Sequence, residues 1–209
     1  MKFDIITIFP KIFEGFLSES LLSKAQKKGL LKIQTHYLRN WTTDRHQTVD
    51  GKPYGGGPGL VFKIEPIFKA IKDLKKKSSK SKVILFSPRG KKFDQSMAKK
   101  YSKLDQLILI CGRYEGIDER VAEYVADDVI SIGDYVLNGG EVSAMVLIES
   151  VSRQLAGFMH KEESATKEDH ASYTKPELFS PKKGVSWKVP KVLLSGNHKK
   201  IEDWRKKHS

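Results

Sequence analysis

The sequence predicts an α/β protein whose parallel sheet carries helices on both faces. Strand-like apolar runs alternate with segments of helical periodicity along most of the chain. This alternation is typical of βαβ units, in which crossover helices cover a parallel sheet. Two of the runs, "KVILF" at 82–86 and "QLILI" at 106–110, are almost continuously apolar. Such runs are expected of strands that are buried on both faces.

The spacing of apolar residues, and the glycine and proline residues between the runs, predict the individual elements, which are given in chain order. Strands are predicted at 3–8, 30–38, 82–86, 106–110 and 127–133, and helices at 19–29, 64–77, 117–125 and 141–158. The last of these helices has the clearest apolar stripe at helical spacing. The segment 39–59 is polar, rich in glycine and too long for a hairpin, which indicates a functional or mobile loop.

The character of the sequence changes after Phe158. Residues 159–190 are polar, contain three prolines and show no period, which is typical of a linker or mobile loop. An apolar run, a turn with Asn197 as a candidate N-cap, and a basic helix follow. The sequence therefore predicts a domain at 1–160, a flexible linker at 161–175 and a small helical C-terminal domain at 176–209.

The balance of charge favours a polyanionic partner such as nucleic acid. The chain has 38 Lys and Arg against 25 Asp and Glu, a formal net charge of +13. Lysine-rich solvated faces are the alternative explanation, because the basic residues are spread along the chain. The single cysteine allows no intrachain disulfide, and no apolar run is long enough to cross a bilayer. No spacing of Cys or His indicates a metal site. Because the cysteine is single and no apolar run could cross a bilayer, we expect a cytoplasmic protein without membrane contact.

Three predicted strands end in similar, glycine-containing loops: "LFSPRG" at 85–90, "ICGRYEG" at 110–116 and "SIGDYVLNGG" at 131–140. Ligands of open parallel sheets bind beyond the carboxyl ends of the strands, so these loops are expected to line one crevice. Each loop could also be no more than a turn. The chain lacks the glycine motifs that bind dinucleotide pyrophosphate or a nucleoside triphosphate. A partly apolar lining favours an adenine-bearing ligand with little phosphate.

Four motifs, "DGKPYGGGPG", "CGRYEGIDERV", "SIGDYVLNGGE" and "LLSGNH", occur in this order and closely resemble those of the bacterial tRNA (guanine-N1)-methyltransferases. This TrmD family belongs to the SPOUT superfamily, and the similarity covers residues 5–204. The resemblance implies a deep trefoil knot at about 85–140 that binds S-adenosylmethionine. It further implies methyl transfer to N1 of guanosine 37 (G37) in tRNA, assistance by Mg²⁺, and a homodimer with active sites at the subunit interface.

The resemblance also assigns residues to the cofactor site. Glycines let the backbone approach a ligand closely, and an acid could balance the charge of the cofactor's sulfonium group. By motif, the residues expected to line the cofactor site are Phe86, Ser87, Pro88, Gly112, Glu115, Ile132, Gly133, Tyr135, Leu137, Gly139 and Gly140.

The expected catalytic groups lie further along the chain. Removal of the N1 proton requires a base, which in the family is an aspartate in the linker; here it corresponds to Asp169 in "SATKED". Glu168 is the alternative, because this segment is shorter than in relatives, and Ser164 of the same motif is expected near the substrate. Arg153 matches a family arginine that lies near O6 of the target base. Without the resemblance, Arg153 would only complement the helix dipole.

The loop at 39–59 corresponds to the part of the family that receives the guanine. Flat glycine-rich backbone can admit a base and read its edge. Residues expected to contact the substrate are Arg45, His46, Asp50, Tyr54, Gly55, Gly56, Gly57, Pro58 and Gly59. The motif "DRH" at 44–46 could equally be a local ion-paired turn.

Two other functions stay open at this point. One is a methyltransferase of the same superfamily that acts on a different RNA. The other is an RNA-binding descendant without catalytic activity, which the short linker favours. Ser143 stands where relatives often have proline, and relatives usually continue with further helices beyond the position of Ser209.

Overall fold

The computed structural model describes residues 1–75, 80–159 and 170–208. Contacts between residues divide the chain into two units, Met1–Ala165 and Thr166–Ser209. The described part of the first unit contains β1 (Lys2–Thr7), β2 (Lys32–Tyr37), β3 (Asp50–Gly51), β4 (Val61–Phe62), β5 (Ser81–Lys92), β6 (Gln106–Ile110) and β7 (Asp128–Ser131). Its helices are α1 (Glu14–Ser18), α2 (Ser20–Lys27), α3 (Ile64–Leu74), α4 (Gln95–Tyr101), α5 (Glu119–Tyr124) and α6 (Gly140–Ser152), with 3₁₀ turns at Pro10–Phe13 and Leu38–Trp41.

Five of the strands form one sheet in the order β2-β1-β6-β5-β7. Every neighbouring pair in this sheet is parallel. The predicted α/β class with a parallel sheet is therefore confirmed.

Alternate residues of the strands feed two separate hydrophobic cores. On β6, Leu107 and Leu109 pack with residues of α2, α4 and α6, whereas Ile108 and Ile110 pack with residues of α3 and α5. All four side chains are fully buried. Because successive residues of a strand point to opposite faces, helices cover both faces of the sheet, as the apolar runs predict.

Some of the predicted boundaries were wrong. β5 continues to Lys92, beyond the predicted end at Phe86, because the chain bulges and then pairs with β7 again. Helix α4 was not predicted; its N-cap is Asp94, whose carboxylate accepts a hydrogen bond of 2.8 Å from the backbone of Met97. Helix α6 ends at Ser152, six residues before the predicted end, and the following turns include Gly157 with φ +76°.

The second unit is not wholly helical, contrary to the prediction. It contains the antiparallel hairpin β8 (Leu178–Lys182) and β9 (Val185–Lys188), followed by α7 (Lys191–Leu194) and α8 (His198–Lys207). Phe179 and Trp187 are cross-strand neighbours whose ring centroids lie 5.7 Å apart. The predicted N-cap is confirmed, since the Asn197 side chain accepts from the backbone N–H of Lys200 at 3.1 Å.

Candidate active site

The middle of β5 and the carboxyl ends of β6 and β7 surround a cavity of about 620 Å³. The segments that follow β6 and β7 form its wall together with a bulge inside β5, which agrees with the predicted position for ligands of parallel sheets. The structure brings together at this cavity all the residues that were predicted to bind the cofactor: Phe86, Ser87, Pro88, Gly112, Glu115, Ile132, Gly133, Tyr135, Leu137, Gly139 and Gly140.

The first wall is the bulge within β5. Both Phe86 and Lys91 pair with Ile130 of β7, so residues 87–90 bow out of the sheet between them. A methyl group added at Gly90 would lie 2.6 Å from the backbone nitrogen of Ile130. Two backbone segments therefore touch at Gly90, and no other residue type would allow this approach without a shift.

The second wall follows β6. A methyl group added at Gly112 would lie 2.9 Å from the side chain of Ile117. Tyr114 has φ +60°, a left-handed conformation that is uncommon for a bulky residue and is often found at functional sites. The backbone N–H of Glu115 donates to the carbonyl of Leu60 at 3.1 Å, so this wall also holds the end of the glycine-rich loop.

The third wall is the segment between β7 and α6. The N–H of Gly140 donates to the carbonyl of Gly112 at 3.0 Å, which joins this wall to the second one. A methyl group added at Gly140 would lie 2.8 Å from the Cα of Cys111, and one added at Gly139 would collide with the Arg113 side chain. Burial raises the pKa of the Cys111 thiol far above its usual range, so Cys111 packs as a neutral side chain.

Behind the third wall lies a buried ion pair that sequence reasoning missed. The Glu141 carboxylate is 1% exposed and accepts a hydrogen bond of 2.9 Å from Nε of Arg113. Arg113 lines the cavity, whereas Glu141 does not. The sequence carried only a weak signal for the pair, an acid directly after two glycines at the start of a helix.

The predicted substrate loop is joined to the edge of the cavity. Asp50 of β3 pairs with Phe62 of β4, and the Phe62 N–H donates to the carbonyl of Gly116 at 3.0 Å. Burial raises the pKa of Tyr114, and the negative charge of the nearby Asp50 carboxylate raises it further. The loop and the second cavity wall therefore share backbone and side-chain contacts.

The tip of this loop is open to solvent. Tyr54 is fully exposed, and Gly55, Gly56, Gly57 and Gly59 all have positive φ. Added methyl groups at the first three of these glycines would meet no atom within 4 Å, whereas one at Gly59 would lie 2.8 Å from Oε1 of Glu115. Glu115 thus lies between the cavity and the loop.

Arg45 and His46 are exposed in the same loop, within a turn that is held by other groups. The Asp44 carboxylate accepts from the N–H of Thr48 at 3.0 Å and from its hydroxyl at 2.6 Å. These hydrogen bonds lower the pKa of Asp44. The local turn therefore depends on Thr48, and both basic side chains project into solvent.

Of the two predicted catalytic residues, Arg153 does not line this cavity. Arg153 follows the last residue of α6, and Gly140 at the other end of the helix lines the cavity. A helix of 13 residues is about 20 Å long. The side chain of Arg153 therefore lies far from the cavity of its own chain. Asp169, its alternative Glu168, and Ser164 lie outside the described residues.

Within residues 1–75, 80–159 and 170–208, there is no group of three or more His, Cys, Asp or Glu side chains that could hold a metal ion. Across the same ranges, no helix is long and apolar enough to cross a membrane.

Comparison with known proteins assigns the family. The family model described as tRNA (Guanine-1)-methyltransferase TrmD matches residues 1–209. The chain belongs to this family. It is 50% identical to a tRNA (guanine-N(1)-)-methyltransferase of Carboxydothermus hydrogenoformans, with 100% of this chain and 83% of the relative covered. It is 47% identical to the protein of the same name from Citrifermentans bemidjiense, where 99% and 84% are covered.

A further relative of that name, from Dictyoglomus turgidum, is 48% identical, with 100% of this chain and 85% of the relative covered. In this member of the TrmD family, the cavity and the loop at its edge are therefore the candidate sites for cofactor and substrate.

Proposed function

We propose that the protein transfers a methyl group from S-adenosylmethionine to N1 of guanosine 37 in tRNA. Membership of the TrmD family supports this reaction. The observation that carries the proposal is geometric. Residues of the segments 85–90, 110–116 and 131–140 converge on one cavity, and Leu60 and Phe62, which follow the glycine-rich motif "DGKPYGGGPG", are hydrogen-bonded to its edge.

The cavity suits S-adenosylmethionine in size and chemistry. Its volume of about 620 Å³ lies within the range of pockets that bind small ligands. Gly112, Gly139 and Gly140 line the cavity without side chains of their own, so their main-chain groups can contact a ligand. Glu115 supplies a carboxylate at the edge, where it would attract the positively charged sulfonium group. When bound, S-adenosylmethionine supplies the electrophilic methyl group on that sulfur.

The same region supports a trefoil knot of the SPOUT type at about 85–140. In this proposal, the chain at 85–140 crosses itself where the bulge of β5 meets β7. The double pairing of Ile130, with Phe86 and with Lys91, supports a crossing at this point. Contact of Gly90 with the backbone of Val129 and Ile130 supports it further.

The glycine-rich loop and its neighbours would receive the tRNA. Gly55–Gly57 present backbone without side chains at an exposed tip, which suits the insertion and edge recognition of a flat base. Asp50, Tyr54, Pro58 and Gly59 belong to the same proposed guanine site. Exposed Arg45 and His46 would contact the phosphate backbone.

Two groups would act directly on the guanine. Asp169 would remove the N1 proton as general base, and Glu168 is the alternative if the short linker shifts the register. Arg153 would stabilise negative charge that develops on O6. Ser164 would help to position the base, and Mg²⁺ would assist the reaction without a cluster of ligands among the described residues.

A homodimer would reconcile these roles with the position of Arg153. Because α6 separates Arg153 from the cavity of its own chain, the arginine would act at the cavity of a second subunit. The exposed apolar side chains Val142 and Val146 on α6, together with Phe9 and Ile12, support an interface on this face. The proposed organisation is a methyltransferase domain at 1–160, a linker at 161–175 and a C-terminal domain at 176–209.

The function is tested by methyl transfer from labelled S-adenosylmethionine to unmodified tRNA. We expect incorporation into tRNA with G37, mapped to N1, and none into the same tRNA with A37. Incorporation at another nucleotide would indicate a different RNA target. If the cofactor binds and no methyl group is transferred, either tRNA binding is too weak or the protein is an RNA-binding descendant without catalytic activity.

The base is identified with matched variants in the same assay. We expect Asp169→Ala to reduce kcat by about 100-fold or more, while the Kd for S-adenosylmethionine stays unchanged, because general bases contribute factors of this size. Glu168→Ala serves as the matched control. Unchanged turnover in Asp169→Ala together with a large loss in Glu168→Ala would assign the role to Glu168.

A further inference from the structure

Glu141 is a buried carboxylate to which the proposed mechanism gives no role. It is the second residue of α6 and is 1% exposed. Removing a carboxylate from water is costly unless charged partners and hydrogen bonds compensate. A buried acid directly behind the wall of a ligand cavity therefore requires an explanation.

The partners of Glu141 form a closed ring of contacts. The Thr7 hydroxyl donates to Oε1 of Glu141 at 2.8 Å, and Nε of Arg113 donates to Oε2 at 2.9 Å. The Thr7 oxygen accepts in turn from the N–H of Phe9 at 2.9 Å. The Arg113 guanidinium lies 4.9 Å from the centroid of the Phe9 ring, which completes the ring of contacts.

This ring of contacts connects three elements at one end of the sheet. Thr7 ends β1, Arg113 follows β6, and Glu141 lies in the first turn of α6. The negative charge of Glu141 also suits the first turn of a helix, where backbone N–H groups point outward. Both carboxylate oxygens have partners, so the side chain has one well-defined position.

The third cavity wall lies directly against this ring. A methyl group added at Gly139 would lie 2.6 Å from Oε2 of Glu141 and would also collide with Arg113. Arg113, Gly139 and Gly140 line the cavity, while Thr7 and Glu141 stand behind them. The position of the glycine backbone, and of any ligand that contacts it, therefore depends on the Glu141–Arg113 pair.

We propose that Glu141 is a positioning residue for S-adenosylmethionine, which holds Arg113 and the Gly139–Gly140 backbone in the arrangement that the cofactor contacts. The inference rests on the proposed function, because it assigns the cavity to that cofactor. Glu141 itself touches no reacting atom.

The test is the Kd for S-adenosylmethionine in Glu141→Gln, measured by calorimetry without RNA. The amide keeps the shape of the side chain and loses its charge. We expect the Kd to rise by about 10- to 100-fold, as for loss of a hydrogen bond between charged groups. At saturating cofactor, kcat and the KM for tRNA should stay within about threefold of the wild type, because the lost interaction serves cofactor binding.

Glu123→Gln is the matched control. This acid lies on α5, is exposed and does not line the cavity, so its substitution makes the same change of charge. We expect its Kd for S-adenosylmethionine to equal that of the wild type. Thr7→Val is a second variant, which removes one neutral donor from the ring and should raise the Kd by about 3- to 10-fold.

The outcomes separate positioning from a purely structural role. A lower melting temperature in Glu141→Gln with an unchanged Kd per folded molecule would overturn the inference. If Glu141→Gln does not fold, an unchanged Kd in folded Thr7→Val would overturn it equally. Failure of the wild type to bind S-adenosylmethionine would instead contradict the proposed function and remove the basis of the inference.

Discussion

Two glycine-rich regions of this protein use the same residue for different physical reasons. In the cavity wall at 131–140, an added methyl group would collide at Gly139 with the Arg113 and Glu141 side chains and at Gly140 with the backbone of Cys111. In the loop at 51–60, added methyl groups at Gly55, Gly56 and Gly57 would meet nothing within 4 Å. Those three glycines have positive φ instead.

The difference shows which property of glycine each region needs. The wall needs the absence of a side chain, because two backbones and a buried ion pair pack there. The loop needs the left-handed conformation, which costs other residues about 1–2 kcal/mol each. A closely packed wall is suited to a ligand of fixed shape, and an open loop is suited to a base that must enter from solvent.

The largest effect is expected from Gly140→Ala. The new methyl group would lie 2.8 Å from the Cα of Cys111, so backbone must move on one side of the cavity. We expect the Kd for S-adenosylmethionine, measured by calorimetry, to rise about 100-fold, at the upper end of overpacking effects. Gly15→Ala on α1 is the control, since its methyl group meets no atom within 4 Å and alanine favours a helix. Equal affinities in both variants would contradict the packing account.

The second effect concerns the strand that leads into the open loop. Buried Asp4 accepts hydrogen bonds of 2.7 Å from His36 on β2 and 2.7 Å from Gln106, and it pairs with Lys2 at 2.9 Å. Burial alone would raise the pKa of Asp4, but the hydrogen bonds outweigh it and the pKa is lowered. The charged carboxylate therefore stabilises the fold above its unfolded pKa of about 3.9, and this stability is lost as the pH falls through the lower folded pKa.

We expect Asp4→Asn to lower the free energy of unfolding at pH 7 by about 2 kcal/mol, as for loss of hydrogen bonds to a charged group. The difference from the wild type should shrink below about pH 4, because the Asp4 carboxylate of the unfolded wild type becomes protonated there before that of the folded protein does. Urea unfolding at a series of pH values measures both. A difference that stays constant down to pH 2.5 would show that the charge of Asp4 contributes nothing.

The smallest effect is expected from Gly56→Ala. Gly56 has φ +80° and open space around it, so the methyl group disfavours the loop conformation without a collision. We expect the KM for tRNA to rise by about 3- to 10-fold, as for strain of this kind, with an unchanged Kd for S-adenosylmethionine. Steady-state kinetics and calorimetry give the two values. A weaker affinity for the cofactor with an unchanged KM for tRNA would reverse the roles assigned to the two regions.

The sequence predicted the central strands well because they are buried on both faces. Runs such as 106–110 are apolar at nearly every position, and this pattern can be recognised without any knowledge of tertiary contacts. Helix α4 was missed because it has only seven residues and few apolar side chains. The hairpin was missed because its strands are largely exposed and one contains a proline.

The candidate site also has parts that the sequence predicted and parts that it did not. The cavity residues could be predicted because they sit in contiguous motifs that resemble those of a known family. The Arg113–Glu141 pair could not, since its partners are 28 residues apart and meet only when the sheet forms. The distance of Arg153 from the cavity also follows only from the helix that separates them.

The most direct test of the account is a crystal structure of the protein with S-adenosylhomocysteine, the product that remains after methyl transfer. We expect its adenine against the backbone of Gly133–Gly140, its sulfur on the side of Glu115, and the Glu141–Arg113 pair intact behind the wall. Ligand density at any other place, with the cavity between β5, β6 and β7 closed, would contradict the account.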